Sequence, residues 1–137
     1  MSDFAALIAA ASLGGMLFFS AVVTPSLFGA LDEKAAGRVL RTVFPRYFLV
    51  HGTLAGVAAI FAITAGQTSA GALMAAGAAI LFASRQIAVP IINDARDAME
   101  AGDAAAKKTF GLWHGGSVIA NLIEMALLAT AIWLLLG

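Results

Sequence analysis

Four residues bring chemistry into an apolar stretch near the end of the chain: His114, Ser117, Asn121 and Glu124. Steps of three and four residues keep side chains on one helical face. A helix over Thr109–Met125 therefore carries a polar seam that lipid penalises, so the seam is expected to face other helices or a cavity. Such a seam suits a small polar ligand or an ion. Arg85 interrupts the preceding apolar stretch and is the cation placed to face it. Its alternatives are to snorkel to the headgroups, to hydrogen-bond Asn121, or to pair with Glu124 or a bound anion. The ligand-binding candidates are Arg85, His114, Ser117, Asn121 and Glu124. An intramembrane acid such as Glu124 is read first as functional, in proton or cation movement or in an ion pair.

A second chemistry comes from two similar words, Leu49-Val-His51-Gly52 and Leu112-Trp-His114-Gly115. In an up-down bundle the second and fourth segments run in the same direction, and a histidine from each is what a bis-histidine haem requires. Counting helical rise from the segment centres puts His51, Arg85 and His114 in one half of the bilayer. Gly52, Gly56, Gly115 and Gly116 would leave room for a flat macrocycle. The alternative reading is therefore a b-type haem or metal-ion protein, an electron carrier or oxidoreductase, held by His51 and His114. The competing structural reading is that both imidazoles donate to carbonyls and shape helix packing. A third reading is a membrane scaffold or assembly factor whose polar groups only specify helix contacts.

Catalytic signatures are lacking. No HExxH, GxSxG or GxxxxGK[ST] occurs, and the Ser117–His114 pair has no visible oxyanion donor, so no catalytic residue is assigned. The absence of cysteine removes disulfides, thiolate metal sites and thiol catalysis together. A net charge of zero without a basic block argues against a nucleic-acid partner.

The elements that must position these residues follow from composition. Of the 137 residues 61% are hydrophobic and only 12% charged, against about a quarter charged in soluble domains. Mean hydropathy is +0.94. No Asp, Glu, Lys or Arg occurs from Phe4 to Leu31 or from Tyr47 to Ser84, and Glu124 is the one such residue from Thr109 to Gly137. Since a span needs about 20 apolar residues, the expectation is a single all-α transmembrane domain over 1–137. Its four helices form an up-down bundle at about 4–28, 47–65, 70–92 and 107–136. Gly66-Gln-Thr-Ser69 makes the turn between the second and third, and Asp103 caps the fourth. Residues 33–44 have one apolar side (Ala36, Val39, Leu40, Val43) and one basic side (Lys34, Arg38, Arg41). That pattern predicts a separate interfacial helix capped by Asp32, with Phe44-Pro45-Arg46 turning the chain back into the bilayer. The N-terminus lacks a basic n-region, so the first helix is expected to be retained.

Positive charge predicts orientation. The first-to-second connection holds Lys34, Arg38, Arg41 and Arg46, and the third-to-fourth holds Arg96, Lys107 and Lys108. Both are expected to be cytoplasmic, with both termini outside, the membrane being a bacterial-type inner membrane if the source is prokaryotic. Each half also repeats a helix with a proline near its end, a polar connection and a returning helix. Exposed glycine patches are compatible with a homo-oligomer.

Three stretches taken together resemble the transmembrane protein 205-like family. They are Phe44-Pro-x-Tyr-Phe48, Arg85-x-x-x-x-Pro90-x-x-x-x-Ala95 and Phe110-x-x-x-His114-Gly-x-Ser-x-x-x-Asn121-Leu122. The resemblance covers nearly the whole chain in the same order, and His51 falls outside its pattern. It implies four membrane helices and supplies no enzyme mechanism, the family having been catalogued as a domain of unknown function. The leading expectation is an integral membrane protein that binds or passes a small polar ligand or ion at an intramembrane polar site.

Overall fold

A computed structural model describes all residues, Met1 to Gly137. Its four long helices are α1 (Ser2–Ala30), α2 (Glu33–Thr64), α3 (Thr68–Glu100) and α4 (Ala106–Leu136), each long and apolar enough to cross a membrane. There is no strand, as expected for a chain that must satisfy every backbone group within its own spans. Consecutive helices pack as neighbours and α4 closes on α1, so α2 and α4 face each other across the diagonal. This is the up-down bundle. One end carries the Leu31-Asp32 and Ala101–Ala105 connections and is here the charged end.

The interior is built from small residues and the exterior from large ones. Ala5, Ala9, Ala55, Ala58, Ala62 and Ala131 are buried with Met16, Met74, Leu81 and Leu128. Phe4, Leu7, Ile60, Leu112 and Trp133 point outward. Lipid gives no hydrophobic reward for burying a leucine, so close backbone approach is what holds such helices together. Gly52 lies against the Phe82 ring and Gly56 against Ala78, both on α3. A Cβ added at Gly71 would meet Ile63 and come within 3.1 Å of the Ala59 carbonyl. The α2–α3 hairpin turns at Gly66, whose φ of 82° is the left-handed conformation that favours glycine.

Two expectations about helix ends are corrected. Residues 33–44 do not form a separate interfacial helix; they are the first turns of α2, which runs unbroken through Pro45. Asp32 does cap it, accepting from the Ala35 N–H at 2.8 Å. A proline inside a helix costs about 3 kcal/mol, and here tertiary contacts offset it. Arg85 Nε donates to the Pro45 carbonyl at 3.1 Å, and Phe44, Tyr47 and Phe48 pack around Phe19 and one another. The basic side then meets the acidic end of α3, which continues past Pro90 to Glu100 instead of stopping near residue 92. Ala36 and Leu40, on the apolar side of the same α2 turns, are buried within the protein.

Pro25 and Pro90 share a local solution. A widened π-turn precedes each, over Phe19–Val23 and Ser84–Ala88, with the residue just before the proline donating five back: Thr24 to Phe19 and Val89 to Ser84. The helix thus absorbs a ring and a missing donor without ending. The matching offsets extend the similarity between the two halves beyond the Leu-x-His-Gly words.

Close α2–α3 packing predicts that Gly71→Ala destabilises the protein by roughly 1–3 kcal/mol through overpacking. Gly14, with nothing near its added Cβ, should tolerate alanine. Denaturation of both variants in detergent checks the contrast.

Candidate functional site

A cavity of about 840 Å³ opens at the charged end, between the last turns of α1 and α3 and the first turns of α2 and α4. α1 ends at Ala30, and the turns of α2 and α3 at this end, residues 33–46 and 93–100, carry most of its charged residues. The innermost lining residues are Phe19 and Ser20 of α1, Tyr47 and Phe48 of α2, Val89 of α3, and Asn121 and Leu122 of α4. Their floor is a hydrogen bond across the diagonal, with the Tyr47 hydroxyl donating to Asn121 Oδ1 at 2.9 Å. His114 and Ser117 line the wall above it, and the His114 ring stacks on Phe110 at 5.4 Å between centroids, nearly parallel.

The rim is mostly cationic. Lys34, Arg38, Arg41 and Arg96 line it, against Glu33 and Glu100. Arg41 forms a two-pronged bond to Asp97, with Nη1 to Oδ1 at 2.6 Å, and Lys34 lies 3.8 Å from Glu100. Arg96 spreads over the Phe110 ring at 5.2 Å, in space left by the missing side chain of Gly37. Arg38 has no acidic partner within salt-bridge distance. The Arg41–Asp97 pair lies on these charged turns, outside the uncharged segments. Its hydrogen bond holds the Asp97 carboxyl below the usual aspartate range and pushes the Arg41 guanidinium up.

The five ligand candidates divide. His114, Ser117 and Asn121 come together on the cavity wall; Arg85 and Glu124 do not line it. Arg85 neither pairs with Glu124 nor bonds Asn121: it donates to the Pro45 carbonyl and to Gln86 Oε1, while Asn121 accepts from Tyr47. Glu124 lies one turn beyond Asn121, fully buried, with its side chain over Gly77 of α3 and no hydrogen-bond partner for either oxygen.

His51 and His114 are not brought together. The Nδ1 of His51 lies 3.0 Å from the Ser12 hydroxyl of α1, and its ring sits over Gly15 and edge-on to Tyr47. His114 lines the cavity on the α4 wall, whereas His51 is not among its lining residues and commits a ring nitrogen to Ser12. Gly52 and Gly56 are filled by Phe82 and Ala78, which leaves no slot for a macrocycle there. The expected single cluster of His51, Arg85 and His114 is not formed: His51 bonds Ser12, Arg85 bonds the Pro45 carbonyl, and only His114 lines the cavity. No group of three or more His, Asp or Glu side chains is arranged to hold a metal ion.

Tyr47 is the site residue that residue patterns did not single out. It reads as a belt aromatic at a membrane surface, yet it is buried at the bundle's centre. The available signal was its place one turn before His51, on the same helical face.

A family model described as a domain of unknown function, DUF4149, matches residues 7–101. The chain belongs to that family. The match covers α1 to α3, including the Phe44–Phe48 and Arg85–Ala95 motifs, and ends before α4 and its polar wall. No curated protein and no solved structure matches the chain.

The Arg41–Asp97 tie predicts an acid-sensitive contribution to stability. Asp97 is depressed in the folded state, so its contribution is complete above the ordinary aspartate range and is lost as pH falls through the lowered value. Asp97→Asn should lower stability at neutral pH and flatten its decline in acid. Melting curves across pH check this.

Proposed function

We propose that this DUF4149 protein binds or passes a small polar anion in the cavity at its charged end. The observation that carries the reading is a single one. His114, Ser117 and Asn121, polar groups on a membrane helix, line an 840 Å³ cavity whose rim holds four cationic side chains and two acidic ones. Arg38 has no acidic partner there, and Arg96 is held by a ring, so both keep donors for an incoming anion. The aromatic lower wall of Phe19, Phe44, Tyr47 and Phe48 suits an anion with a compact apolar part.

The reading includes an orientation and a relationship. The positive-inside pattern supports a cavity that opens to the cytoplasm, with both termini on the far side of the membrane. The three motifs from Phe44 to Leu122 support membership of the transmembrane protein 205-like group within the wider family. Arg85, bonded to the Pro45 carbonyl, serves this site by positioning the α2 turn that carries Phe44 and Tyr47.

The test uses the full chain in detergent and in liposomes, with inorganic phosphate and acetate as probes. Calorimetry should detect one of them, and Arg38→Gln or His114→Ala should weaken binding by roughly tenfold, about 1.4 kcal/mol. The Arg38 effect should shrink as salt rises, since the rim is exposed. Equal affinity and flux in the folded variants, or neither binding nor uptake of either anion by the wild-type protein, would remove the proposal.

A further inference from the structure

Beyond the floor of the cavity lies a group that anion binding does not use. Glu124 is 0% exposed, and neither carboxyl oxygen has a hydrogen-bond partner. An ionised carboxylate buried without a partner or a counter-charge costs far more than a neutral acid in the same place. The surroundings supply no counter-charge. Neither α1 from Phe4 to Leu31 nor the α2–α3 stretch from Tyr47 to Ser84 contains a charged residue. Facing titratable groups are limited to α2: Tyr47, whose hydroxyl is committed to Asn121, and His51, bonded to Ser12 and touching the Tyr47 ring. From α3 comes Gly77, and the Glu124 Cγ lies 3.3 Å from where its Cβ would be. Arg85, the nearest cation along α3, is two turns nearer the charged end and spent on the Pro45 carbonyl. A glycine that makes room for an acid, in a bundle whose other fully buried side chains are alanine, leucine, methionine and one serine, Ser12, marks a built position for that acid.

Access is arranged from one side only. Asn121 and Leu122 are the innermost α4 residues of the cavity, and Glu124 follows within a turn. Between Glu124 and the water-accessible space stands the Tyr47–Asn121 hydrogen bond. Past Glu124, α4 continues through Met125, Leu128 and Ala131, all buried and without a polar partner for a water chain.

We propose that Glu124 is a proton-binding site at the blind end of the cavity, closed by the Tyr47–Asn121 hydrogen bond. When that bond opens, water in the cavity reaches the carboxyl. The Glu124 O–H breaks as the proton passes to that water, leaving a carboxylate, and the reverse transfer restores the neutral acid. One proton and one unit of charge leave in the first step and return in the second, with water as the only other reactant. The inference rests on the anion-binding reading only for the cavity as the water route.

Infrared spectroscopy on the full-length protein in buffered vesicles tests it. The wild-type protein should show a carbonyl stretch of a protonated carboxylic acid that is missing in Glu124→Gln. Transfer to D₂O should shift that band slowly, and Asn121→Ala or Tyr47→Phe should make the shift several-fold faster by opening the floor. Absence of the band, its persistence in Glu124→Gln, or an exchange rate indifferent to both floor variants would overturn the proposal. Phosphate and acetate binding is scored separately. A wild-type protein that binds neither anion yet shows the gated band removes the anion reading alone, and the converse removes the proton site alone.

Discussion

The hydrogen bond between Tyr47 and Asn121 is the contact on which the interior arrangement depends. It joins α2 and α4, which otherwise face each other across the diagonal of the bundle. In hydrocarbon a hydroxyl and an amide without partners each cost several kcal/mol, so the pair brings together two groups that would be costly alone. It also sets a boundary. Outward of it the helices part around a cavity with a cationic rim; inward of it the bundle closes on alanine, methionine and leucine, with the Ser12–His51 pair and one acid among them.

Keeping that bond in register requires α2 to be a single rigid rod. Pro45 sits half a turn before Tyr47, and a break there would swing the phenol away from α4. The rod survives because its weak point is buttressed from three sides: the Arg85 donor to the Pro45 carbonyl, the aromatic packing of Phe44 and Phe48, and the Arg41–Asp97 fork at the charged end. The polar groups outside the cavity are thus largely scaffolding for the ones inside it. Arg85, the most conspicuous intramembrane charge in the sequence, belongs to this scaffolding.

The halves of the molecule resemble each other in backbone more than in chemistry. The two prolines are accommodated by π-turns at matching offsets, yet the two histidines that follow have diverged in environment. His51 holds α1 to α2 through Ser12, whereas His114 faces the cavity on a Phe110 shelf. Repetition of a word along a chain preserves helix spacing without preserving what each side chain meets, because the meeting partner comes from a different helix each time.

The amino-acid sequence alone determined the class and the count of spans. Long uncharged stretches can only be transmembrane helices, since lipid offers the backbone no hydrogen bonds, and the charged connections and the Gly66 turn divide the chain between them. It also determined that α4 has a polar seam, because helical periodicity places His114, Ser117 and Asn121 on one side. What faces that seam was decided only by tertiary structure. Whether Pro45 breaks a helix depends on contacts from residues some forty positions away, and that one outcome moves every depth on α2. With it go the bond of His51 to Ser12 and the pairing of Asn121 with Tyr47 instead of Arg85, while the packing of α3 on α4 sets Glu124 against Gly77. Local pattern dictates which face of a helix is polar; packing between helices dictates which polar groups meet.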